Sequence, residues 1–317
     1  MLGTSAEKDG RTYVTGLVTD LLGPPPAETS RVFLKWKETL EVWNRRSPVE
    51  FRRLAFGDDD AFDLLRDEGI DVKVLGPVTE KVNGADALPF LGAPKKGPRV
   101  GHESVDLETA EFTGASTSHT INGHSVVLHL RFGNFTFLFA GDLNDQSERE
   151  LTRGHNLNQL NLCPEVLKVP HHGSGDFAGG FLQAVWPVIS VISSGDESTR
   201  KEFIHPRATL GGTLGRYSRL EEPLIFVTEL VAFFQFEGWV VLADPRSSTA
   251  AKRTQEVPQD RGRFFSFSRT AFGTVMVRTA GERLPIYTRS GRADLREAYA
   301  YQVDPSGEVV PAAVRSV

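Results

Sequence analysis

The sequence has one cysteine, no long apolar run and no histidine before His102. Cys163 alone excludes an internal disulfide framework and is typical of a protein from a reducing compartment, so we expect a cytoplasmic location. No apolar segment approaches the ~20 residues that a membrane-spanning helix needs. The first ten residues also lack the apolar core of a signal peptide. We therefore expect no membrane partner.

Three common catalytic motifs are missing as well. No strand-to-helix turn carries a serine-hydrolase elbow, a P-loop or a dinucleotide-binding fingerprint. A Ser-His-Asp catalytic triad remains an alternative, although the spacing of these residues in the sequence does not favour it. The net charge of −5 argues against broad, tight binding of nucleic acid, because such binding depends on many cationic contacts to phosphate.

The most informative stretch runs from residue 126 to residue 174. Two apolar runs, 126–132 and 135–140, flank Gly133-Asn134, which is a two-residue hairpin signal. A third apolar run, 165–169, stops at a pair of histidines, and a fourth covers 188–193. From about residue 125 to 228 strand and helix patterns alternate, which predicts a layered α/β sheet.

The flanking regions have weaker patterns. We expect a helix over Arg31–Arg46 with Trp36 and Trp43 in the core. Asp58-Asp59-Asp60 is interpreted as the cap and acidic first turn of a helix over 61–68, rather than as a metal site. Further expectations are a strand over 51–56, an irregular connection over 78–123, a helix starting at Pro206, a hairpin over 233–242, a polar linker over 244–260 and short antiparallel strands over 264–270, 274–278 and 298–303.

Three successive strand ends carry side chains that bind metals. Asp142 follows the 135–140 run, His171 and His172 follow the 165–169 run, and His205 follows the 188–193 run. Imidazole and carboxylate are the ligands of a catalytic zinc site that keeps one position open for water. The alternative is that Gly141-Asp142 forms a capped turn and that the histidines are ordinary surface residues.

The remaining histidines are weaker candidates. His119 and His124 precede the first central strand, and His124 lies in a turn where it could simply form a hydrogen bond. His129 lies within a strand and is expected to be structural. His102 and His155 are expected at the surface.

The segments NGHSVVLHLRFGNFTFLFAGDLN, EVLKVPHHGS and HPRATL resemble the C-terminal half of a metallo-β-lactamase-fold hydrolase, of the ComEC-like subgroup. The resemblance implies an αββα sandwich and a site with two zinc or manganese ions. It also implies hydrolysis of a small-molecule phosphoester or a nucleic acid by metal-activated water. Asp142 would bridge the ions. One of His171 and His172 would be a ligand and the other a supporting or acid/base group, and His205 would bind metal or stabilise charge on the substrate. His172 and His205 would also serve in catalysis.

The chain departs from the family in its first metal motif, His-x-His-x-Asp-His, which should lie before residue 31. Two explanations stay open: a fragment of a longer protein, or a degenerate relative that acts as a binding or regulatory module. We expect an N-terminally incomplete metallo-β-lactamase-like domain over 1–243, with its core at 122–228. A linker and a small β-rich extension would follow over 244–317.

Overall fold

The computed structural model describes residues 4–25, 29–94, 112–154, 163–195, 205–228, 273–289 and 298–314. Its helices are α1 (Arg31–Arg46), α2 (Thr117–Gly123), α3 (Asp145–Gly154), α4 (Gly179–Val185) and α5 (Ala208–Arg216), with 3₁₀ segments at Asp59–Glu68 and Pro170–Gly173. Its strands are β1 (Thr4–Lys8), β2 (Arg11–Thr15), β3 (Ile70–Gly76), β4 (Glu80–Val82), β5 (Ala85–Pro89), β6 (Gly92–Pro94), β7 (Phe112–Ala115), β8 (Val127–Phe132), β9 (Phe135–Phe139), β10 (Val166–Lys168), β11 (Ile189–Ile192), β12 (Leu224–Val227), β13 (Thr274–Val277), β14 (Arg283–Arg289), β15 (Ala298–Val303) and β16 (Val309–Pro311).

The central sheet has six strands in the order β12-β11-β10-β9-β8-β3. Strands β9 to β12 are parallel, whereas β8 runs antiparallel to both β9 and β3. The predicted hairpin is confirmed, since Phe132 pairs with Phe135 across a turn in which Gly133 has a φ of 57°. That positive φ costs glycine little and a side-chain-bearing residue more. The mixed α/β fold expected from the sequence is therefore confirmed.

Helices α3, α4 and α5 cover one face of the central sheet. Apolar side chains of the helices share a core with Leu138, Leu167 and Ile192 of the strands. The helix residues of this core include Leu151, Phe181, Leu182, Leu210 and Leu214. Burial of such side chains is the main force that holds these layers together, at about 25 cal/mol per Å² of apolar surface.

The opposite face of the central sheet packs against an antiparallel sheet of order β13-β14-β15-β16. Phe135 and Phe226 of the central sheet share a core with Leu284, Ile286 and Tyr301. The strands expected over 274–278 and 298–303 are confirmed as β13 and β15. The structure adds that this C-terminal sheet is a layer of the central fold.

The predicted domain boundary at 243 and 244 lies outside the described residues, as do the features expected over 233–242, 244–260 and 264–270. The division into two domains therefore stays a prediction, and so does the αββα sandwich. Within the described ranges, no helix is both long enough and apolar enough to cross a membrane.

The expected irregular connection over 78–123 is wrong for the described part of that range. Strands β4 and β5 join β1 and β2 in a four-stranded sheet, β6 pairs with β7, and α2 follows. A small core of Tyr13, Val82 and Ala87 holds the four-stranded sheet. Strands of three to five residues between Gly and Pro are too short to show a clear apolar period, which is why the pattern was missed.

The strand expected over 51–56 is also wrong. This segment is irregular, and its end is held by hydrogen bonds from Phe56 N to Pro77 O (2.9 Å) and from Gly57 N to Val74 O (3.0 Å). Helix α5 begins at Ala208 rather than at Pro206, since Arg207 has an extended backbone and is the cap residue.

The three carboxylates at 58–60 have structural contacts, but the expected side-chain cap is wrong. Asp58 makes no capping hydrogen bond to the 3₁₀ segment and instead accepts from Ala55 N (2.8 Å). Asp59 accepts from Val74 N (2.8 Å), and Asp60 forms a two-pronged ion pair with Arg52. The bond from Val74 N fastens the 3₁₀ segment to β3, and the contacts with Ala55 and Arg52 hold it to the segment that precedes it.

Helix α1 is confirmed, but the predicted core position of its tryptophans is wrong. Trp36 and Trp43 are both exposed, whereas the buried residue of the helix is Lys37. The ammonium group of Lys37 contacts Glu41 and donates to Leu22 O (3.0 Å). Helical periodicity shows which residues share a face, and only the fold decides which face meets the core.

Candidate functional site

The four predicted site residues lie at neighbouring ends of parallel strands. Asp142 follows β9, His171 and His172 follow β10, and His205 follows β11 on the way to α5. Nε2 of His172 is 3.5 Å from Oδ1 of Asp142, and the rings of His171 and His205 are 6.1 Å apart between centroids. Parallel strands end at the same sheet edge, and the fold therefore brings all four side chains together there.

Hydrogen bonds hold both polar groups of the Gly141-Asp142 peptide, the Asp142 N–H and the Gly141 carbonyl. Gly141 has a φ of 56°, and a Cβ there would lie 2.5 Å from Cβ of Ser125. Asp142 N donates to Oγ of Ser125 (3.0 Å). The Gly141 carbonyl accepts from the backbone N of His171 (3.1 Å) and from Nζ of Lys168 (3.0 Å). One carbonyl group thus ties the end of β9 to the end of β10.

Both histidines of the pair adopt a left-handed backbone. His171 has φ 46° and ψ 42°, and His172 has φ 55° and ψ 18°. This region costs a residue with a Cβ roughly 1–2 kcal/mol. Strain of this kind persists where the surroundings enforce it, and it is enriched at functional sites. The two successive left-handed residues turn both imidazoles toward the sheet edge that carries Asp142 and His205.

His172 is oriented by a backbone carbonyl. Its Nδ1 lies 2.7 Å from the carbonyl oxygen of Ser193, and because a carbonyl only accepts, Nδ1 carries the proton. In the neutral ring Nε2 then holds a lone pair, which faces the carboxylate of Asp142 at 3.5 Å. Both groups are partly exposed, and a proton on Nε2, a water molecule or a cation between them would satisfy both. Metal-binding histidines also have their second nitrogen held by the protein in this way.

His171 and His205 are shifted toward their neutral forms. Burial lowers the pKa of His171, and the nearby charge of Asp142 opposes the shift only in part. Burial, followed by the charges of His171 and Arg207, lowers the pKa of His205 to about 4. Both rings are therefore neutral at pH 7, and neutral imidazole is the form that binds metals.

The loops after β10 and β11 touch at Gly173. Gly173 has a φ of 82°, and a Cβ there would lie 2.7 Å from Cβ of Pro206. Arg207 N donates to the carbonyl of Gly173 (2.8 Å). Only glycine fits this contact, which sets the loop of His171 and His172 against the residue that follows His205.

Helix α2 forms a further wall of the site, which the sequence analysis underrated. Nδ2 of Asn122 lies 3.3 Å from Nε2 of His171. Nε2 of His119 lies 3.3 Å from Oδ2 of Asp176, a carboxyl whose pKa is raised by burial and lowered again by the charge of His119. His119 and Asn122 are three residues apart and therefore share one face of the helix. The three-residue spacing of His119 and Asn122 was the feature of the sequence that could have indicated this wall.

Lys168 is a second residue that the sequence analysis did not single out. Burial lowers the pKa of its ammonium group, and the charge of Asp142 opposes the shift. Lys168 lies three residues before His171 in the KVPHHGS segment, at the end of β10, so its position next to a strand end was a readable signal. It adds a positive charge beside the carboxylate.

The other histidines are placed as follows. Nε2 of His124 lies 2.7 Å from the carbonyl of Pro89, and burial lowers the pKa of this histidine. His129 is buried within β8, as expected of a structural residue. His102 and His155 lie outside the described residues.

The site residues fit part of a metal site. Nδ1 of His171 is buried and has no hydrogen-bond partner among the described residues, and Nε2 of His172 lies 3.5 Å from Oδ1 of Asp142. Within those same ranges, however, no group of three or more His, Cys, Asp or Glu side chains has the arrangement of a complete metal site. The predicted ligands are thus near one another without the geometry of a closed site.

Among curated proteins, the chain is similar to ComE operon protein 3 of Bacillus subtilis (strain 168), with 32% identity over 99 residues. The matched segment is 31% of this chain and 12% of the relative. The chain thus matches a small part of a much longer protein. No protein-family model and no solved structure matches the chain. The likeness to a ComE-operon protein supports the broad part of the resemblance seen in the sequence.

Proposed function

We propose that the chain contributes to a metal-dependent hydrolase of the metallo-β-lactamase type that acts on a phosphoester or phosphodiester. The observation that carries the proposal is the pairing of His172 and Asp142. With Nδ1 committed to Ser193 O at 2.7 Å, Nε2 of His172 faces Oδ1 of Asp142 at 3.5 Å. A divalent cation between these two acceptors would satisfy both.

The residues have distinct roles in this proposal. Asp142 and His172 would hold a zinc or manganese ion, and His171 would be a further ligand if its Nε2 exchanged the contact with Nδ2 of Asn122 for the ion. A bound ion would supply Lewis acidity and a water that ionises near neutral pH. The pKa of His205 is lowered to about 4, so its ring is neutral and weakly basic, and it would bind the metal or stabilise charge on the substrate rather than take up a proton. Lys168 places a positive charge beside Asp142, where an anionic substrate group would be attracted.

The second ion of the proposed pair depends on ligands beyond these four side chains. The family's first motif is the expected source, and no histidine precedes His102 in this sequence. The substrate and the whole catalytic cycle are therefore proposed for a site that also includes those further ligands. The match to ComE operon protein 3 covers only 12% of that relative.

A non-catalytic binding module is the second candidate function. It is favoured by the contact between Nδ2 of Asn122 and Nε2 of His171. An amide donor at this position occupies the lone pair through which His171 would bind a metal ion. In this case the sheet edge would bind a partner or an anion through Lys168 and the imidazoles, without hydrolysis.

Metal binding separates these functions. We expect the purified full chain to bind zinc measurably by titration calorimetry, and Asp142→Asn or His172→Gln to weaken the binding by about tenfold or more, since each removes a ligand. Asp63→Asn, at an exposed carboxylate paired with Arg66, is the matched control. Hydrolysis of bis(p-nitrophenyl) phosphate is measured on the same samples. Zinc affinity that is equal in all variants would contradict the proposed site.

A further inference from the structure

Helix α1 carries a stripe of exposed apolar side chains. Val32, Trp36 and Trp43 are spaced by four and seven residues and so lie on one face of the helix. They are 81%, 45% and 58% exposed. The helix is well formed at its start, where Oγ of Ser30 accepts from Phe33 N (3.2 Å). The stripe is therefore a preformed surface on a capped helix.

A different face of α1 meets the rest of the chain. Lys37 is buried on that side, and its ammonium group donates to Leu22 O (3.0 Å) and contacts Glu41. The bond to Leu22 O joins this side of α1 to the segment that precedes it, whereas Glu41 belongs to the helix itself. The described parts of the chain thus contact α1 at Lys37 and leave the tryptophan stripe uncovered.

Basic side chains accompany the stripe. Residues 31–46 contain five Lys or Arg and two Glu, a net charge of +3 within a chain of net charge −5. Lys35 and Arg46 are exposed, and the guanidinium of Arg46 lies 5.9 Å from the centre of the Trp43 ring. Exposed indoles beside a local excess of positive charge suit a partner surface that carries negative charge and has an apolar layer close beneath it.

We propose that α1 docks on an anionic lipid surface, with Trp36 and Trp43 in the headgroup layer. Tryptophan favours the membrane interface because its ring is apolar and its N–H finds acceptors there. An amphipathic helix with basic flanks lies in the plane of such a surface and is attracted by its negative potential. Sixteen residues give a helix of roughly 24 Å, which is shorter than a bilayer core and suits a helix lying on the membrane.

Other occupants fit the stripe less well. A second copy related by a two-fold axis would bring one +3 helix against another, which like-charge repulsion disfavours. Base stacking by single-stranded nucleic acid needs free ring faces. Arg46 lies over Trp43, and the ring of Phe33 lies 5.3 Å from that of Trp36. The proposal departs from the expectation of no membrane partner, and it does not depend on the proposed hydrolase site.

Vesicle flotation of the full chain tests this proposal. At low salt we expect the protein to float with vesicles of phosphatidylglycerol and phosphatidylcholine in equal parts, and to stay behind with phosphatidylcholine alone. Salt at about 0.5 M should release it because the charges are screened. Trp36→Ser/Trp43→Ser and Lys35→Gln/Arg46→Gln should each lower the partition coefficient by about tenfold or more.

Two controls match these variants elsewhere on the surface. Leu64→Ser removes another exposed apolar side chain, and Arg66→Gln/Lys81→Gln removes the same amount of charge from two exposed ion pairs. Both controls should float like the unchanged chain, and circular dichroism checks that every variant is folded. The proposal is overturned if the full chain does not float or if the tryptophan variant floats equally well. It is also overturned if sedimentation shows a dimer that the tryptophan variant loses.

Discussion

At the scale of single residues, the most unusual group is the carboxyl of Glu148 on α3. It is fully buried, and its Oε2 accepts from Ala178 N (2.6 Å), whereas Oε1 has no hydrogen-bond partner among the described residues. Burial raises its pKa well above the usual range, and the nearby charges of Asp145 and Asp176 raise it further. A buried charge without full compensation is costly, so burial favours the protonated form of this carboxyl.

Stability should therefore fall as pH rises through the folded pKa of Glu148. For a carboxyl with a raised folded pKa, the favourable contribution is complete below the unfolded pKa and is lost on the way up. Glu148→Gln removes that loss while it keeps an acceptor for Ala178 N. We expect the variant to gain stability over the unchanged chain from pH 5 to pH 8, by up to about 1.4 kcal/mol per pH unit.

Urea unfolding at pH 5, 6, 7 and 8 measures this difference. Glu68→Gln, at an exposed position, is the control and should change stability little at any of these pH values. A stability difference between Glu148→Gln and the unchanged chain that is constant with pH would contradict the assignment of a protonated carboxyl at this site.

At the scale of the elements, the order of the strands brings the site residues to one edge of the sheet, and the loop conformations orient their side chains. The alternation of apolar runs and helices from residue 125 to 228 was enough to predict that Asp142, His171, His172 and His205 follow neighbouring strands. The sequence pattern did not show the left-handed backbone at His171 and His172, nor the wall formed by α2. Both depend on contacts between loops that are far apart in the chain, such as the one between Gly173 and Pro206.

Gly173→Ala tests this contact between loops. A Cβ would lie 2.7 Å from Cβ of Pro206 at a φ of 82°, so both the clash and the backbone conformation oppose alanine. We expect a loss of about 1–3 kcal/mol in urea unfolding together with weaker zinc binding. Gly211→Ala is the control, because a Cβ there meets nothing within 4 Å in the middle of α5. It should be neutral or stabilising by up to about 1 kcal/mol. Equal losses in the two variants would show that the contact is unimportant.

At the scale of the whole molecule, the central sheet is covered by helices on one side and by the C-terminal sheet on the other. Asn134 N in the β8–β9 turn donates to Gly281 O (2.8 Å), and Ile286 of β14 is buried against the central strands. Residues more than a hundred positions apart thus share one core. Strands β13 and β15 were predicted from their alternating pattern, but β14, β16 and the layer against which they pack were not.

Ile286→Ala should therefore destabilise the central sheet as well as its own strand. We expect a loss of about 2–5 kcal/mol, because a fully buried side chain is truncated, and faster hydrogen exchange in β9 and β10. Val314→Ala, at a position that is half exposed, is the control and should cost little. Unchanged exchange in β9 and β10, with a loss confined to β13–β16, would show that the two layers fold independently.

The sequence by itself determined the α/β class, the central hairpin and the candidate site residues at the strand ends. These features follow from the local period of apolar residues and from the types of side chain at the ends of the runs. Tertiary structure alone decided that α1 exposes its tryptophans and that the C-terminal sheet covers the central one. It also decided that the carboxylates at 58–60 bond to Ala55 N, Val74 N and Arg52. The physical reason is that a pattern defines faces, whereas burial depends on which distant face is available to cover each of them.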